Sequence, residues 1–149
     1  MSLSRDFVEF IECLSARRVE YLLVGGYALA FHGRPRYTKD IAFWVRPTRR
    51  NAERLLAALV DFGFGEMELS ADDFCTPGQV VQLGKAPSRI DLVTSVTGLE
   101  FEPAFARRIE TDYDGVALYV IHRDDLVANK RALGKPRDLL DAEDLEQDG

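Results

Sequence analysis

The stretch from Tyr21 to Val45 reads YLLVGGYALAFHGRPRYTKDIAFWV, and its order of residue types predicts the fold. The apolar run at its start is typical of a buried strand, and two glycines end that run. The apolar segment after the glycines predicts a short helix, which Gly33-Arg34-Pro35 breaks before a second extended run begins at Thr38. The stretch therefore predicts a strand, a glycine turn, a helix, a loop and a second strand.

Gly25 and Gly26 lie where the first strand leads into the helix. Glycines at such a position let backbone amides approach a ligand closely, and the unpaired N–H groups of a helix start favour an anion such as phosphate. A tight strand-to-helix turn needs glycine for its own geometry as well. A phosphate site and a purely structural turn are both consistent with this pair.

The second strand carries a carboxylate on an otherwise apolar segment, DIAFWV. Alternation along a strand places Ile41, Phe43 and Val45 on one face and Asp40, Ala42 and Trp44 on the other. Asp40 therefore projects from the face opposite the main apolar one. Trp44 shares that face, where it either stacks on a nucleic-acid base or is a half-buried aromatic at the end of the sheet.

The rest of the chain predicts an α/β fold with a mixed sheet and helices packed mainly on one side of it. Apolar periodicity and capping residues predict helices over 5–17, 49–62, 101–108, 124–133 and 137–145, and strands over 64–69, 80–83, 89–93 and 115–121. Leu59 and Val60 belong to the apolar stripe of the second long helix, and a polar loop is expected around Asp72 and Asp73.

The strand over 89–93 carries the second acidic position. Its alternation directs Ile90 and Leu92 to the core and Asp91 to the opposite side, as in the strand that contains Asp40. We expect the two carboxylates to lie at the same end of the sheet.

Length and composition favour one domain over residues 1–149, since 46% hydrophobic residues supply an ordinary core for a chain of this size. No apolar run is long enough to span a bilayer and no leader pattern is present, so a soluble, cytoplasmic protein without a membrane partner is expected. Cys13 and Cys75 match no metal-ligand spacing and are expected to be reduced structural thiols.

The net charge of -6 argues against nonspecific coating of nucleic acid but leaves room for a local basic surface. Arg49, Arg50 and Arg54 share one face of the second long helix. That face could bind a protein partner or RNA, and the sequence does not decide between them.

The hydrophobic strand, Gly-Gly, helix and then Thr-x-Asp-Ile-x-Phe-x-Val resemble the signature of the nucleotidyltransferase superfamily with the polymerase-β-like fold. The similarity is strongest to its small bacterial members, the minimal nucleotidyltransferases and the abortive-infection toxin type. The resemblance implies a single-domain α/β (α+β) nucleotidyltransferase fold, with a mixed β-sheet flanked by helices and a C-terminal helical pair.

The sequence departs from that signature at one position. The family pattern has Asp-hydrophobic-Asp on the second strand, whereas this chain has Asp40-Ile41-Ala42. The resemblance implies that Asp40 and Asp91 bind Mg²⁺ in a two-metal site and that Ala42 stands where a second aspartate is expected. An engineered change and a natural loss both explain Ala42.

The resemblance also implies a nucleotide-binding set. Gly25 and Gly26 would bind phosphate, Lys39 lies beside the proposed site, and Lys130 and Asp138 match residues near the nucleotide on the last two helices. Lys130 and Asp138 are equally consistent with ordinary surface charges on helices.

The activity implied is metal-dependent transfer of a nucleotidyl group from a nucleoside triphosphate such as ATP to an RNA (tRNA) or protein acceptor. Two magnesium ions can clamp the attacking and leaving oxygens of such an in-line reaction. Loss of the ligand at Ala42 is expected to impair it. The alternative is a non-catalytic nucleotide- or partner-binding module of a toxin-antitoxin type system, with an antitoxin or toxin as its partner.

Overall fold

A computed structural model describes residues 3–34, 38, 40–85, 88–113 and 115–147 of the chain. Its elements are α1 (Arg5–Ala16), β1 (Tyr21–Val24), α2 (Gly25–Phe31), β2 (Asp40–Val45), α3 (Arg49–Phe62), α4 (Ala71–Cys75), β3 (Val80–Leu83), β4 (Arg89–Val93), α5 (Phe101–Ala106), β5 (Ile109–Tyr113), β6 (Val116–Val120), α6 (Arg123–Leu133) and α7 (Pro136–Gln147). The predicted α/β fold is confirmed. A single domain over 1–149 stays a prediction.

The described strands form one six-stranded mixed sheet in the order β3-β4-β2-β1-β6-β5. β2 is parallel to β4 and antiparallel to β1, while β1 is parallel to β6. The antiparallel hairpins β3-β4 and β5-β6 place β3 and β5 as the two edge strands of the described sheet. The strands with Asp40 and Asp91 are therefore neighbours near the middle of the sheet.

The core lies mainly between one face of the sheet and helices α1 and α3. Phe10 of α1 packs on Phe43 of β2 with ring centroids 5.6 Å apart, and Leu55 of α3 is fully buried. Helix α5 covers part of the other face, where Phe101 packs on Trp44 at 5.2 Å. Trp44 is only 1% exposed, so the suggestion that it stacks on a bound base is wrong.

A buried amide ties α3 to the two central strands. The side chain of Asn51, which is 2% exposed, accepts from the N–H of Glu20 and donates to the carbonyls of Glu20 and Arg46. Glu20 precedes β1 and Arg46 follows β2. Asn51 therefore fixes the ends of both strands that lie away from Gly25 and Asp40.

Three local predictions are wrong, and one strand has no counterpart among the predictions. Residues 64–69 form no strand, and the expected polar loop contains α4, because Ser70 and Asp73 form a capping box at its start. Strand β5 was not predicted, since its polar sequence IETDY gains its structure from pairing with β6. Val60 is 62% exposed and lies outside the apolar face of α3.

Among the described residues, no helix combines the length and the apolar character that crossing a membrane requires. The two cysteines are free, as expected.

Candidate functional site

The predicted acidic residues meet the glycine turn at one end of the central strands β1, β2 and β4. Because β1 and β2 are antiparallel and β2 and β4 are parallel, the end of β1 lies beside the beginnings of β2 and β4. In the strand register, Ala42 lies opposite both Val24 and Asp91. The structure therefore brings Asp40, Ala42 and Asp91 together on one face, with Gly25 next to them.

An arginine lies between the two carboxylates. Arg89 Nη2 donates to Oδ2 of Asp40 at 2.7 Å and to Oδ2 of Asp91 at 3.2 Å, and its Nε donates to Oδ1 of Asp91 at 3.1 Å. The Asp91 side chain is 14% exposed, against 36% for Asp40. One guanidinium thus neutralises one of the two acidic charges, and the group as a whole keeps a single negative charge.

Burial raises the pKa of the Asp91 carboxyl above its ordinary value. Hydrogen bonds and charge from Arg89 act in the opposite direction, while the neighbouring Asp40 carboxylate adds to the increase. Burial also raises the pKa of the Tyr27 hydroxyl, and the charge of Asp40 contributes to that increase. The carboxylates therefore lie in a half-buried, negatively charged environment in which Asp91 holds its proton more tightly than an exposed aspartate does.

Ala42 lies directly beside the glycine turn. Gly25 has φ +71°, and a methyl group added to it would lie 3.5 Å from the Ala42 Cβ. Positive φ is a conformation that glycine adopts without the usual Cβ penalty. The half-buried methyl group of Ala42 therefore lies beside Gly25, at the position where the signature described above has a second aspartate.

Gly26 has a packing reason to be glycine. A Cβ at this position would come within 3.2 Å of both Cβ and Oγ1 of Thr38. Thr38 in turn donates from Oγ1 to the Asp40 carbonyl at 3.0 Å, so it helps to position the start of β2. The first turn of α2 has no side-chain cap. Phosphate binding by Gly25 and Gly26 stays a prediction, and a structural need for both glycines is evident.

The donor set does not fit the two-magnesium site that the resemblance implies. Magnesium prefers hard oxygen ligands in near-octahedral geometry. In the described part of the chain, no group of three His, Cys, Asp or Glu side chains could hold a metal ion. The oxygens of Asp40 and Asp91 already accept hydrogen bonds from Arg89, and Ala42 offers no ligand. We therefore derive no chemistry from a bound ion.

The remaining predicted residues have separate environments. Lys130 of α6 is 14% exposed, and its Nζ lies 3.6 Å from Asp138 and 3.3 Å from Asp141 of α7. Within the described residues, Lys130 forms no ion pair with Asp40 or Asp91. The roles of Lys130 and Asp138 in nucleotide binding stay predictions. Lys39 and Pro35 lie outside the described residues.

Arg89 is a site residue that no sequence motif indicates. Alternation could have placed it on the face of Asp91, because the two are separated by a single residue on β4. Its contact with Asp40 depends on the register between β2 and β4, which the local sequence does not specify.

Comparison with known proteins bears on the fold. No protein-family model matches the sequence. No curated protein is significantly similar to it. Among solved structures, it is similar to an antigenic nucleotidyltransferase-like protein from Paracoccidioides brasiliensis, with 16% identity and a TM-score of 0.51 over 97% of this chain and 76% of that chain. The chain therefore has a nucleotidyltransferase-like fold.

Proposed function

We propose that this chain has a nucleoside triphosphate site at the end of the central strands where Gly25, Asp40 and Asp91 meet, and that its nucleotidyl transfer is impaired by Ala42. The observation that carries the proposal is the register. Ala42 lies opposite Asp91 and on the face of Asp40, so a carboxylate at position 42 would join the other two. The acceptor would be a hydroxyl group of an RNA, such as a tRNA end, or of a protein.

In this proposal the residues have distinct roles. Gly25 and Gly26 present backbone N–H groups to the phosphates. An acceptor hydroxyl attacks the α-phosphorus, the new P–O bond forms as the bond to the β-phosphate oxygen breaks, and pyrophosphate leaves. Asp91 accepts the hydroxyl proton, and its raised pKa makes it a better base than an exposed aspartate. Lys130 and Lys39 are proposed to counter the charge of the triphosphate.

The test compares the chain with Ala42→Asp. Each labelled nucleoside triphosphate is incubated with Mg²⁺ and either total RNA or cell protein, and the transferred label is measured. Ala42→Asn is the matched control, because it adds a side chain of the same shape without the charge. Activity in Ala42→Asp alone supports the proposal. Silence in all three folded proteins, together with no binding of any nucleotide, contradicts it.

A second function is favoured by the Arg89 contacts. An arginine that already pairs with both carboxylates suits a non-catalytic module that binds a nucleotide, or a toxin or antitoxin partner, without turnover. Calorimetry with ATP in chelator and in Mg²⁺ tests this alternative. Equal binding in the two buffers, with no transfer by Ala42→Asp, supports the module. No binding up to millimolar nucleotide contradicts the nucleotide-binding form of both proposals.

A further inference from the structure

A cavity of about 320 Å³ lies at the far end of β1 from Gly25. Its walls include Arg18, Tyr21 at the start of β1, Arg54 of α3 and Arg108. A second cavity of about 430 Å³ shares Arg18 and Arg54 with the first and adds Arg50. We call the two together the arginine groove, defined by Arg18, Arg50, Arg54 and Arg108. The four residues of β1 separate it from the glycine turn by about 10 Å.

Three of these arginines have no acidic partner among the described residues. Arg108 pairs with Glu110 at 2.7 Å, and Arg17 beside the groove forms two hydrogen bonds with Asp61. In the same part of the chain, no acidic side chain forms an ion pair with Arg18, Arg50 or Arg54. Glu20 and Glu53 also line the two cavities, and Glu20 is paired with Arg46, so the groove keeps an excess of positive charge in a chain of net charge -6. Such a surface attracts an external anion.

The backbone of Arg18 is strained in a way that a glycine would relieve. Its φ is +56°, and it is the single non-glycine residue with positive φ in the described ranges. Its carbonyl accepts a hydrogen bond from Arg54 Nη1 at 3.4 Å, which brings the two side chains to the same wall. This conformation ends α1, because the N–H of Arg18 donates to the Ser15 carbonyl and the N–H of Val19 donates to the Leu14 carbonyl, each at 3.0 Å. The positive φ of Arg18 is therefore explained by the helix end, and Arg18 lines the groove beside Arg54.

Arg108 is held in a fixed plane by aromatic rings. Its guanidinium lies 4.1 Å from the ring centroid of Phe105 and 5.2 Å from that of Tyr119. Its donors are already engaged, because Arg108 pairs with Glu110 and donates from Nη1 to the Phe105 carbonyl at 3.0 Å. Phe105 is only 7% exposed, so its ring does not provide an open stacking platform for a base. Arg108 therefore lines the groove, and the charge available to a phosphate comes from Arg18, Arg50 and Arg54.

We propose that the arginine groove binds the phosphate backbone of a single-stranded RNA. The two cavities share Arg18 and Arg54, and Arg50 lies about one helical turn from Arg54 on α3, so the three arginines form a row that suits successive phosphates along a strand better than one compact anion. A positively charged groove that follows the backbone is one of the two features with which proteins bind single strands without sequence preference. The site is separate from Asp40 and Asp91, and it does not depend on nucleotidyl transfer.

The first measurement is the affinity for a short fluorescent single-stranded RNA, by anisotropy, over a range of salt concentrations. Each phosphate contact on a single strand contributes about −0.7 to the slope of log affinity against log salt, because the affinity falls as salt rises. The three arginines without acidic partners therefore predict a slope of about −2. Inorganic tripolyphosphate and polyglutamate are the competing probes. RNA binding with this slope, displaced poorly by either probe, supports the proposal.

Variants locate the binding. Arg50→Gln and Arg54→Gln should each lower the affinity about fivefold at low salt and make the slope less negative by about 0.7. Arg18→Gly should weaken RNA binding similarly while the urea midpoint of unfolding stays the same or rises, because glycine accepts positive φ. Arg5→Gln is the matched control. It makes the same charge change at the other end of α1, about 18 Å away.

Several results would overturn the proposal. An equal loss of RNA affinity in Arg5→Gln would assign the binding to overall charge. Polyglutamate that displaces RNA at the same charge concentration would indicate an acidic protein partner, and tripolyphosphate that binds as tightly as RNA would indicate a free polyphosphate site. ATP binding and transfer by Ala42→Asp are measured separately, so failure of the groove and failure of the proposed function can be told apart.

Discussion

Arg89 at the start of β4 donates a hydrogen bond of 2.7 Å to the carboxylate of Asp40 at the start of β2, its register partner on the neighbouring parallel strand. The same guanidinium also contacts Asp91. An internal cation therefore occupies the space between the two carboxylates that a divalent ion would need. A metal ion can use these oxygens only if the arginine leaves them.

Replacing Arg89 should expose the carboxylate pair to metal. Arg89→Gln removes the competing positive charge and leaves both acids in place, so we expect Mg²⁺ or Mn²⁺ to bind at least about tenfold more tightly than to the unmodified chain, because a unit positive charge about 4 Å from a divalent ion costs roughly 2 kcal/mol even in water. Isothermal titration with each ion measures this change. Arg5→Gln serves as the control for net charge. Equal or weaker binding in Arg89→Gln would show that the arginine does not compete with a cation.

Restoring an acid at position 42 should make stability depend on metal. Without metal, a carboxylate beside Asp91 and Asp40 adds like-charge repulsion, which we expect to cost roughly 1–2 kcal/mol at this half-exposed site. Mg²⁺ should recover that loss by binding the folded state. The melting temperature of Ala42→Asp should therefore rise on going from chelator to Mg²⁺, while those of the unmodified chain and of Ala42→Asn stay constant. A variant that melts at the same temperature in both buffers would contradict the three-carboxylate geometry.

The sequence predicted the strands that carry strong apolar runs. β1, β3 and β4 begin and end at the predicted residues. Runs such as YLLV are too short for a helix and are bounded by glycines or charges, so they favour a strand. β5 was missed for the opposite reason. Its sequence IETDY has no apolar face, and its pairing with β6 is a tertiary interaction.

The candidate site was predictable in part for a similar physical reason. Alternation is a local property, so it placed Asp40 and Asp91 on the correct faces of their strands. Which strands become neighbours, and in which register, depends on how the whole sheet assembles. The contact between Arg89 and Asp40 and the burial of Trp44 under Phe101 both follow from that assembly, and no local pattern could reveal them.

Asn51 should be a main determinant of stability at the strand ends that lie away from Gly25 and Asp40, the start of β1 and the end of β2. Its buried amide satisfies backbone groups of Glu20 and Arg46. Asn51→Ala leaves these groups without their partner, and we expect a loss of about 2–4 kcal/mol in the free energy of unfolding. Urea denaturation measures the loss. Glu53→Ala, at an exposed position of the same helix, should change the free energy by less than about 0.5 kcal/mol. A loss below about 0.5 kcal/mol in Asn51→Ala would contradict the conclusion that its hydrogen bonds hold the ends of β1 and β2.

Gly98 should be intolerant of any side chain because α6 packs directly on it. A Cβ at this position would lie 2.5 Å from the Cβ of Ala132, and Gly98 has φ +82°. Overpacking together with backbone strain should make Gly98→Ala less stable by roughly 2–4 kcal/mol.

Adding Ala132→Gly removes the clash but keeps the strain. The double variant should therefore be more stable than Gly98→Ala alone, although Ala132→Gly by itself lowers helix stability by roughly 1 kcal/mol. If the losses in the free energy of unfolding of Gly98→Ala and Ala132→Gly simply add in the double variant, Gly98 and Ala132 are not in the contact described.

His32 should make the fold less stable in mild acid. Its Nε2 donates to the Ile121 carbonyl at 2.7 Å, and burial lowers its pKa, with the positive charge of Arg123 adding to that effect and the hydrogen bond to Ile121 acting in the opposite direction. The unfolded chain takes up this proton near pH 6.5, whereas the folded chain does so only at lower pH. Stability is therefore fully present above about pH 6.5 and is lost as the pH falls below that value. The urea midpoint should fall between about pH 7.5 and 5.5, and it should fall less in His32→Gln, whose amide can still donate to Ile121. The same acid sensitivity in both proteins would contradict the role of His32 and assign the effect to ionisable groups that both proteins share, which include His122 and the carboxylates.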